Sequence, residues 1–211
     1  NTCRFIDAAK QESVDTILEL AELKKTGRLE QLVVAGCLVE RYRDDLKREI
    51  PEIDAVLGTS QIERIAEAVS DPRSFSRQEI AVAGRDAITY LYSDQTPRVL
   101  ATAPHSAYIK ISEGCDRPCT FCVIPQMRGH FRSRSPESIL REVEQLGEAG
   151  TREVVLIAQE STLYGSDLGL RHGLADLLDR MGEARAVDWI RFLYAYPTTA
   201  TDRLFEVMAR H

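Results

Sequence analysis

Short apolar runs of strand type alternate with helical segments along this chain, and this alternation constrains the fold more than any other feature. The strand-type runs occupy residues 32–35, 54–57, 107–111, 153–157 and 189–193. The helical segments occupy residues 7–25, 41–50, 60–69, 136–149 and 175–181, and a last helix begins at Asp202. Strands that alternate with helices pair in parallel, so the pattern predicts an α/β protein.

The alternation is interrupted once, between residues 70 and 106. Pro72, Gly84, Pro97 and Pro104 fall in this stretch and punctuate any regular element there. The pattern therefore predicts an N-terminal domain at 1–70, a connection at 71–106 and a second domain at 107–211. The chain starts at Asn1 rather than Met and stops inside a helical pattern, so we expect it to be a piece of a longer protein.

The helix predicted from residue 136 has the clearest boundary signals in the chain. Ser135 is a typical N-cap, Pro136 suits the first helical position, Glu137 suits the first turn, and Gly150 follows the end. Three strand–helix repeats begin at residue 107, with a cysteine-bearing loop after the first strand. They predict the start of a β/α barrel, whose active site lies at the carboxyl ends of its strands, although an open doubly wound sheet would give the same pattern.

Composition limits the classes of function. The chain has 27 Lys and Arg against 33 Asp and Glu, a net charge of −6, which argues against coating nucleic acid through bulk charge. No apolar run is long enough to span a membrane and no signal peptide precedes the first helix, so we expect a cytoplasmic protein with no membrane partner. An odd number of cysteines, five, favours metal ligation in a reducing compartment over a disulfide framework.

Three of the five cysteines, Cys115, Cys119 and Cys122, fall within eight positions of one loop. Three soft thiolates at this spacing suit an iron–sulfur cube that keeps one iron open for a substrate or cofactor. Structural zinc is the alternative, and it would need a fourth protein ligand such as His105 or His130.

The sequence around these cysteines resembles a known family. Residues 114–129 read Gly-Cys-Asp-Arg-Pro-Cys-Thr-Phe-Cys-Val-Ile-Pro-Gln-Met-Arg-Gly, and residues 132–135 read Arg-Ser-Arg-Ser. Together they resemble the methylthiotransferases of the radical S-adenosylmethionine (SAM) superfamily. Residues 1–13 and 36–42, which carry Cys3 and Cys37, are similar to the N-terminal domain of that family. The resemblance covers nearly the whole chain and implies a partial N-terminal methylthiotransferase domain followed by the first part of a radical SAM barrel of partial TIM type.

The resemblance also implies cofactors and ligands. Cys115, Cys119 and Cys122 would hold a four-iron, four-sulfur cluster that binds SAM. Cys3 and Cys37 match two of the three ligands of a second such cluster, and the third would lie upstream of Asn1. We therefore expect two clusters in the full-length protein, one in this chain alone, and turnover only in the longer protein.

Three further positions take expected roles. The resemblance implies that Phe121 flanks the adenine of SAM. Gln159, at the carboxyl end of its strand, would point toward the mouth of a barrel and contact the cofactor. Arg134, in a locally basic stretch, would hold the cofactor carboxylate or meet an acidic partner. No catalytic acid or base is assigned. A reductant protein is an expected partner.

Two segments bear on the substrate. Residues 158–168 (Ala-Gln-Glu-Ser-Thr-Leu-Tyr-Gly-Ser-Asp-Leu) and 191–197 (Arg-Phe-Leu-Tyr-Ala-Tyr-Pro) resemble the branch that modifies the β-carbon of an aspartate in small-subunit ribosomal protein number twelve. The alternative in the same chemical class is transfer to an adenosine of tRNA, whose enzymes typically carry Gly-Gln-Asn-Val-Asn at 158–162. The alternative of another class is a zinc-stabilised binding module without catalysis.

Overall fold

A computed structural model describes residues 2–3, 6–72, 75, 88–101 and 103–211. Part of the predicted connection at 71–106 therefore lies outside the described residues. The chain divides into two compact units that interleave along the sequence. The N-terminal unit comprises Asn1–Tyr90 and Arg117–His130, and the C-terminal unit comprises Leu91–Asp116 and Phe131–His211. Residues 117–130 were expected in the second domain but group with the first unit; the division at 70 and 106 stays a prediction.

The N-terminal unit is built around two short parallel strands. Its elements are α1 (Asp7–Lys25), β1 (Val33–Ala35), α2 (Cys37–Glu49), β2 (Ala55–Leu57), a 3-10 turn (Thr59–Arg64), α3 (Ile65–Ser70) and α4 (Ile124–Arg128). Val33 pairs with Ala55 and Ala35 with Leu57. Helices cover both faces of this sheet, as a parallel sheet requires, because each face carries apolar side chains that must be kept from water.

Two apolar clusters fill the N-terminal unit. The larger lies between the sheet and helices α1 and α2 and includes Ile17, Val34 and Val39. The smaller lies on the other face and includes Leu57 and Ala68.

The C-terminal unit contains a three-stranded parallel sheet in the order β3-β6-β7. Its elements are β3 (Ser106–Lys110), β4 (Ser112–Glu113), β5 (Arg132–Ser133), α5 (Pro136–Glu148), β6 (Glu153–Ile157), a 3-10 turn (Ser166–Leu168), α6 (Gly173–Ala184), β7 (Trp189–Phe192), a 3-10 turn (Pro197–Thr199) and α7 (Asp202–Arg210). Helices α5, α6 and α7 pack on one face of the sheet, where Ile109, Leu156 and Met181 are buried in one core. This succession is what the first three units of a β/α barrel give, and the parallel sheets confirm the predicted α/β class.

The segment 93–98 is fastened to helix α5 by charged groups. Asp94 accepts hydrogen bonds from Ser138 Oγ (2.7 Å) and Arg141 Nε (2.9 Å). These donors, Arg141 first, hold the pKa of the Asp94 carboxyl well below its usual range. One helical turn along, Arg98 donates to the buried carboxylate of Glu142. Residues 93–98, which precede β3, are thereby held against helix α5, the helix that follows the cysteine loop.

Candidate functional site

The cysteine loop leaves the sheet at the carboxyl end of β3 and is closed at its base by two short strands. Strands β4 and β5 pair antiparallel, Ser112 with Ser133. Glu113 at the start of the loop is buried, and its carboxylate accepts hydrogen bonds from Lys110 Nζ (2.5 Å) and the backbone N–H of Gly114 (3.3 Å). Gly114 has φ +80°, in the left-handed region that favours glycine, and turns the chain into Cys115.

The three loop cysteines differ in exposure. Cys115 is buried, whereas Cys119 is exposed and Cys122 is half-buried. A turn joins the last two, since the N–H of Cys122 donates to the carbonyl of Cys119 (3.1 Å). No disulfide joins any of the five cysteines, all of which lie in the described ranges. Within those ranges, no three His, Cys, Asp or Glu side chains are grouped as ligands of a single metal ion.

The donor set nevertheless fits an iron–sulfur cluster by its chemistry. Three thiols in a single loop, none of them consumed by a disulfide, are what a cube with one open iron requires. Zinc needs a fourth ligand, and His105 does not fit that role. The carbonyl of His105 accepts the N–H of Glu153 (2.9 Å) at the amino end of β3, and the five residues of this strand separate it from the loop by about 16 Å. His130 remains as the alternative zinc ligand.

Cys3 and Cys37 lie at the carboxyl end of β1. Thr2 forms a parallel bridge with Gly36, its N–H donates to the carbonyl of Ala35 (2.8 Å), and its carbonyl accepts the N–H of Cys37 (3.2 Å). The two cysteines therefore follow two neighbouring extended segments. Cys37 is the first residue of α2, four positions before the helix expected from the sequence. Their role as ligands of a second cluster stays a prediction.

Polar side chains gather where β6 and β7 end. Glu160 is buried and accepts hydrogen bonds from the hydroxyls of Thr162 (2.8 Å) and Thr199 (2.8 Å). Ser161 ties the two strand ends together, because its N–H donates to the carbonyl of Tyr194 (3.0 Å) and its Oγ donates to the carbonyl of Leu193 (2.5 Å). None of Glu160, Ser161, Thr162 and Thr199 was predicted as a site residue. Most of their hydrogen bonds join residues far apart in the chain, and such bonds leave no motif in the sequence.

Gln159 precedes this network at the carboxyl end of β6. Its Oε1 is buried and has no hydrogen-bond partner among the residues that the structure describes. Ser112, the first residue of β4, has an Oγ in the same condition within that part of the chain. Buried polar atoms in native structures nearly always have partners, so the Oε1 of Gln159 just beyond β6 is an acceptor available to a bound molecule.

The other two predicted cofactor contacts differ in their surroundings. Phe121 is 84% exposed, which leaves its ring available to another molecule. Arg134 is 3% exposed, and its guanidinium donates to Glu142 (2.6 Å), to the carbonyl of Lys110 (2.9 Å) and to Ser138 Oγ (2.9 Å). This geometry favours a structural role for Arg134, which anchors the end of β3 to helix α5. Contact between Arg134 and a cofactor stays a prediction.

Tyr164 and the residues after it hold strand β5 in place. Its hydroxyl donates to the carbonyl of Arg134 (2.8 Å), and burial raises the pKa of this phenol above its ordinary value. The N–H of Gly165 donates to Ser133 Oγ (2.9 Å), and the N–H of Ser133 donates to Asp167 (2.9 Å). The segment 164–167 after β6 therefore fixes β5, which closes the cysteine loop.

Comparison with known proteins shows what this chain is similar to. The family model described as Radical SAM superfamily matches residues 109–211, and that described as Uncharacterized protein family UPF0004 matches residues 1–58. A curated relative from Solibacter usitatus, named ribosomal protein uS12 methylthiotransferase RimO, is 54% identical over 100% of this chain and 44% of its own length. This chain belongs to the radical SAM methylthiotransferase family. A relative of the same name from Clostridioides difficile is 42% identical over 100% of this chain and 47% of its own length.

A solved structure extends the likeness to the fold. The radical SAM methyltransferase TsrM from Kitasatospora setae, with tryptophan substrate and a SAM analogue bound, aligns with 92% of this chain and 42% of its own length. The TM-score is 0.62 at 17% sequence identity, so the likeness concerns the fold alone. The chain spans about half the length of the curated relatives it matches. Within the described ranges, none of the helices has the length and apolar character needed to cross a bilayer.

Proposed function

We propose that the protein carrying this chain adds a methylthio group to the β-carbon of an aspartate in small-subunit ribosomal protein uS12. One observation carries the proposal: a loop with Cys115, Cys119 and Cys122 follows the carboxyl end of the first strand of the sheet in a chain whose relatives, at 42–54% identity, are named uS12 methylthiotransferases. In a β/α barrel this edge of the sheet is where chemistry takes place.

Cys115, Cys119 and Cys122 would hold a four-iron cluster with one open iron. Bound there, the cluster would supply an open iron for the amino and carboxylate groups of SAM and the electron needed to cleave its sulfonium. The work of this chain is to hold the loop, orient the cofactor and exclude water and other quenchers from a site whose target C–H bond is not acidic. The Lys110–Glu113 pair at the start of the loop and the β4–β5 pair at its base would hold the loop in place.

Gln159 and Phe121 would orient the cofactor. The buried Oε1 of Gln159, which has no partner among the described residues, is an acceptor that suits an N–H of the SAM amino group, since a hydrogen bond offsets the desolvation of a buried oxygen. The exposed ring of Phe121, one residue before Cys122, suits a stack on the adenine. Arg134 would act indirectly, by fixing the carboxyl end of β3 through the carbonyl of Lys110.

Cys3 and Cys37 would provide two ligands of a second cluster in the longer protein, which would deliver the sulfur. A reductant protein would supply electrons. We favour an aspartate over a tRNA adenosine because residues 158–162 read Ala-Gln-Glu-Ser-Thr and because the net charge is −6. Ribosomal protein and reduced thiols both belong to the cytoplasm, which is where the reaction is expected to occur.

Metal analysis tests the site. Iron, acid-labile sulfide and zinc are measured per chain after anaerobic reconstitution, with Cys115→Ala as the matched variant. About four irons, lost in Cys115→Ala, are expected for one cube. About eight would mean that Cys3 and Cys37 hold a second cluster without a third ligand from this chain. One zinc without sulfide would overturn the enzyme in favour of a zinc-stabilised module.

Mass spectrometry tests the substrate. The full-length protein is incubated with SAM, a reductant, a sulfur source and either uS12 or tRNA. A methylthio mass increment on an aspartate of uS12 is expected. An increment on tRNA nucleosides, with none on uS12, would overturn the choice of substrate.

A further inference from the structure

A hydrogen-bonded link inside the N-terminal unit joins two segments that carry cysteines. Thr59 follows strand β2, and its Oγ1 lies 2.8 Å from the carbonyl of Met127 in helix α4 and 3.0 Å from Glu40 Oε1 in helix α2. The backbone N–H of Thr59 also donates to Glu40 Oε1. A hydroxyl has one proton, and here two acceptors share it. We call Glu40, Thr59 and Met127 the threonine latch.

The residues of the threonine latch lie close to cysteines in the chain. Glu40 lies three residues after Cys37, one turn along helix α2. Met127 lies five residues after Cys122, in the short helix α4 that ends the cysteine loop. Thr59 thus connects the helix that begins at Cys37 with the helix that follows Cys119 and Cys122.

The surroundings of Thr59 show that this approach is tight. A Cβ on Gly58 would lie 2.1 Å from Glu40 Oε1, so any other residue at 58 would force the Glu40 carboxylate out of its seat. Gln61 Oε1 accepts the N–H of Gly58 (2.9 Å) and a bond from Arg43 (2.8 Å), which fixes the turn from the other side. Met127 is buried, 3% exposed, so the end of α4 lies against this turn rather than in water.

Helix α4 is too short to be stable by itself. It contains five residues, far fewer than an isolated helix needs to persist in water, and Pro125 near its start donates no backbone hydrogen bond. Its place therefore depends on contacts such as the bond from Thr59 to the carbonyl of Met127.

We propose that Thr59 is a positioning residue that fixes α4, and with it Cys119 and Cys122, relative to the end of α2 that carries Cys37. The inference rests on the proposed function in one respect: both cysteine sets serve a single reaction, so their spacing matters to it. Loss of the latch would leave all five cysteines in the chain and change the spacing of Cys119 and Cys122 from Cys37. Cleavage of SAM would need only the loop cysteines, whereas transfer of the methylthio group would need both cysteine sets, so transfer would fall relative to cleavage.

The first test uses the metal-free protein. Thr59→Val keeps the shape of the side chain and removes its hydroxyl, Thr59→Ser restores the hydroxyl, and Thr26→Val removes a hydroxyl that bonds only to carbonyls of its own helix end. Hydrogen exchange is measured at the amides of Gln126 and Met127, which donate to the carbonyl of Val123. Exchange about tenfold faster is expected in Thr59→Val alone, the factor that one lost hydrogen bond gives. Unchanged exchange would overturn the latch.

The second test uses the full-length, reconstituted enzyme. The ratio of 5′-deoxyadenosine formed to uS12 methylthiolated is compared among the same variants at equal iron content. A ratio raised about tenfold in Thr59→Val and restored in Thr59→Ser is expected. An unchanged ratio alongside faster exchange would overturn the positioning role. If the unaltered enzyme forms no methylthiolated uS12, the proposed function fails, and hydrogen exchange alone decides whether the latch holds α4.

Discussion

At the scale of single residues, the backbone of Tyr194 is strained where the strands end. Tyr194 has φ +64°, and its side chain is 63% exposed just beyond β7. Ser161 holds this conformation through the carbonyls of Leu193 and Tyr194. The left-handed region costs a residue with a Cβ roughly 1–2 kcal/mol, and such strain gathers at functional sites.

Tyr194→Gly is therefore expected to raise the free energy of unfolding by about 0.5–1 kcal/mol. This value is the free energy of the relieved strain minus the cost of the extra conformational freedom that glycine gives the unfolded chain. Chemical denaturation of the metal-free protein measures it. Arg185→Gly is the matched control, because Arg185 has φ 51° at the end of helix α6, where a left-handed residue only ends the helix. Both variants should be stabilised, because each removes the same kind of backbone strain. A destabilised Tyr194→Gly would contradict the strain.

Asp94 gives the protein a pH dependence at the same scale. Arg141 and Ser138 lower the pKa of this carboxyl in the folded state, so folding is stabilised above the unfolded pKa of about 4, and this contribution is lost as pH falls through the lower folded pKa. Asp94→Asn should lower the urea midpoint at pH 7, and the difference from the unaltered protein should shrink below about pH 4. Asp188→Asn, which removes an exposed partner of Arg152, is the control. A difference that stays constant from pH 7 to pH 3 would contradict the assignment.

At the scale of elements, the start of helix α5 follows from its cap. Ser135 Oγ accepts the N–H of Ser138 (3.3 Å), and Pro136 occupies the first helical position. Ser135→Ala should cost about 1 kcal/mol of unfolding free energy, the usual value for a lost N-cap. Thr201→Ala at the start of α7, where Thr201 Oγ1 accepts the N–H of Leu204 (3.3 Å), should cost a similar amount. Thermal unfolding measures both, and a Ser135→Ala protein as stable as the unaltered one would contradict the cap.

The contrast between helices α5 and α2 explains what the sequence could predict. Helix α5 was expected at 136–149 and is found at Pro136–Glu148, because its cap and apolar face are both local signals. Helix α2 was expected from 41 and begins at Cys37, with a kink at Tyr42 (φ −115°), so the expected segment corresponds largely to the part after the kink. The part before the kink was missed because Gly36 supplies no side-chain cap that would mark its start. Strands β4 and β5 have two residues each, too few for any periodicity. Local signals fix an element where they exist, and tertiary contacts fix the rest.

The candidate site also contains residues that the sequence predicts and residues that it does not. The three loop cysteines were predicted because their spacing lies within eight consecutive positions. The bond from Thr59 to Met127 joins positions 68 apart, and the bond from Arg98 to Glu142 joins positions 44 apart. Neither pair leaves a pattern in the chain. Ligand types were therefore readable from the sequence, whereas the groups that hold them in place required the fold.

At the scale of the whole molecule, the described residues build separate apolar cores. Ile17 is buried in the core of the N-terminal unit and Ile109 in that of the C-terminal unit, with no residue common to both clusters. Cooperative unfolding follows from shared packing, so each core should govern its own transition.

Two core variants test this independence. Ile17→Ala and Ile109→Ala each remove a side chain that is at most 3% exposed, at an expected cost of about 2–5 kcal/mol. Calorimetry of the metal-free protein should show two transitions, with Ile17→Ala lowering only one and Ile109→Ala only the other. A single transition that both variants lower equally would mean that the units fold as one.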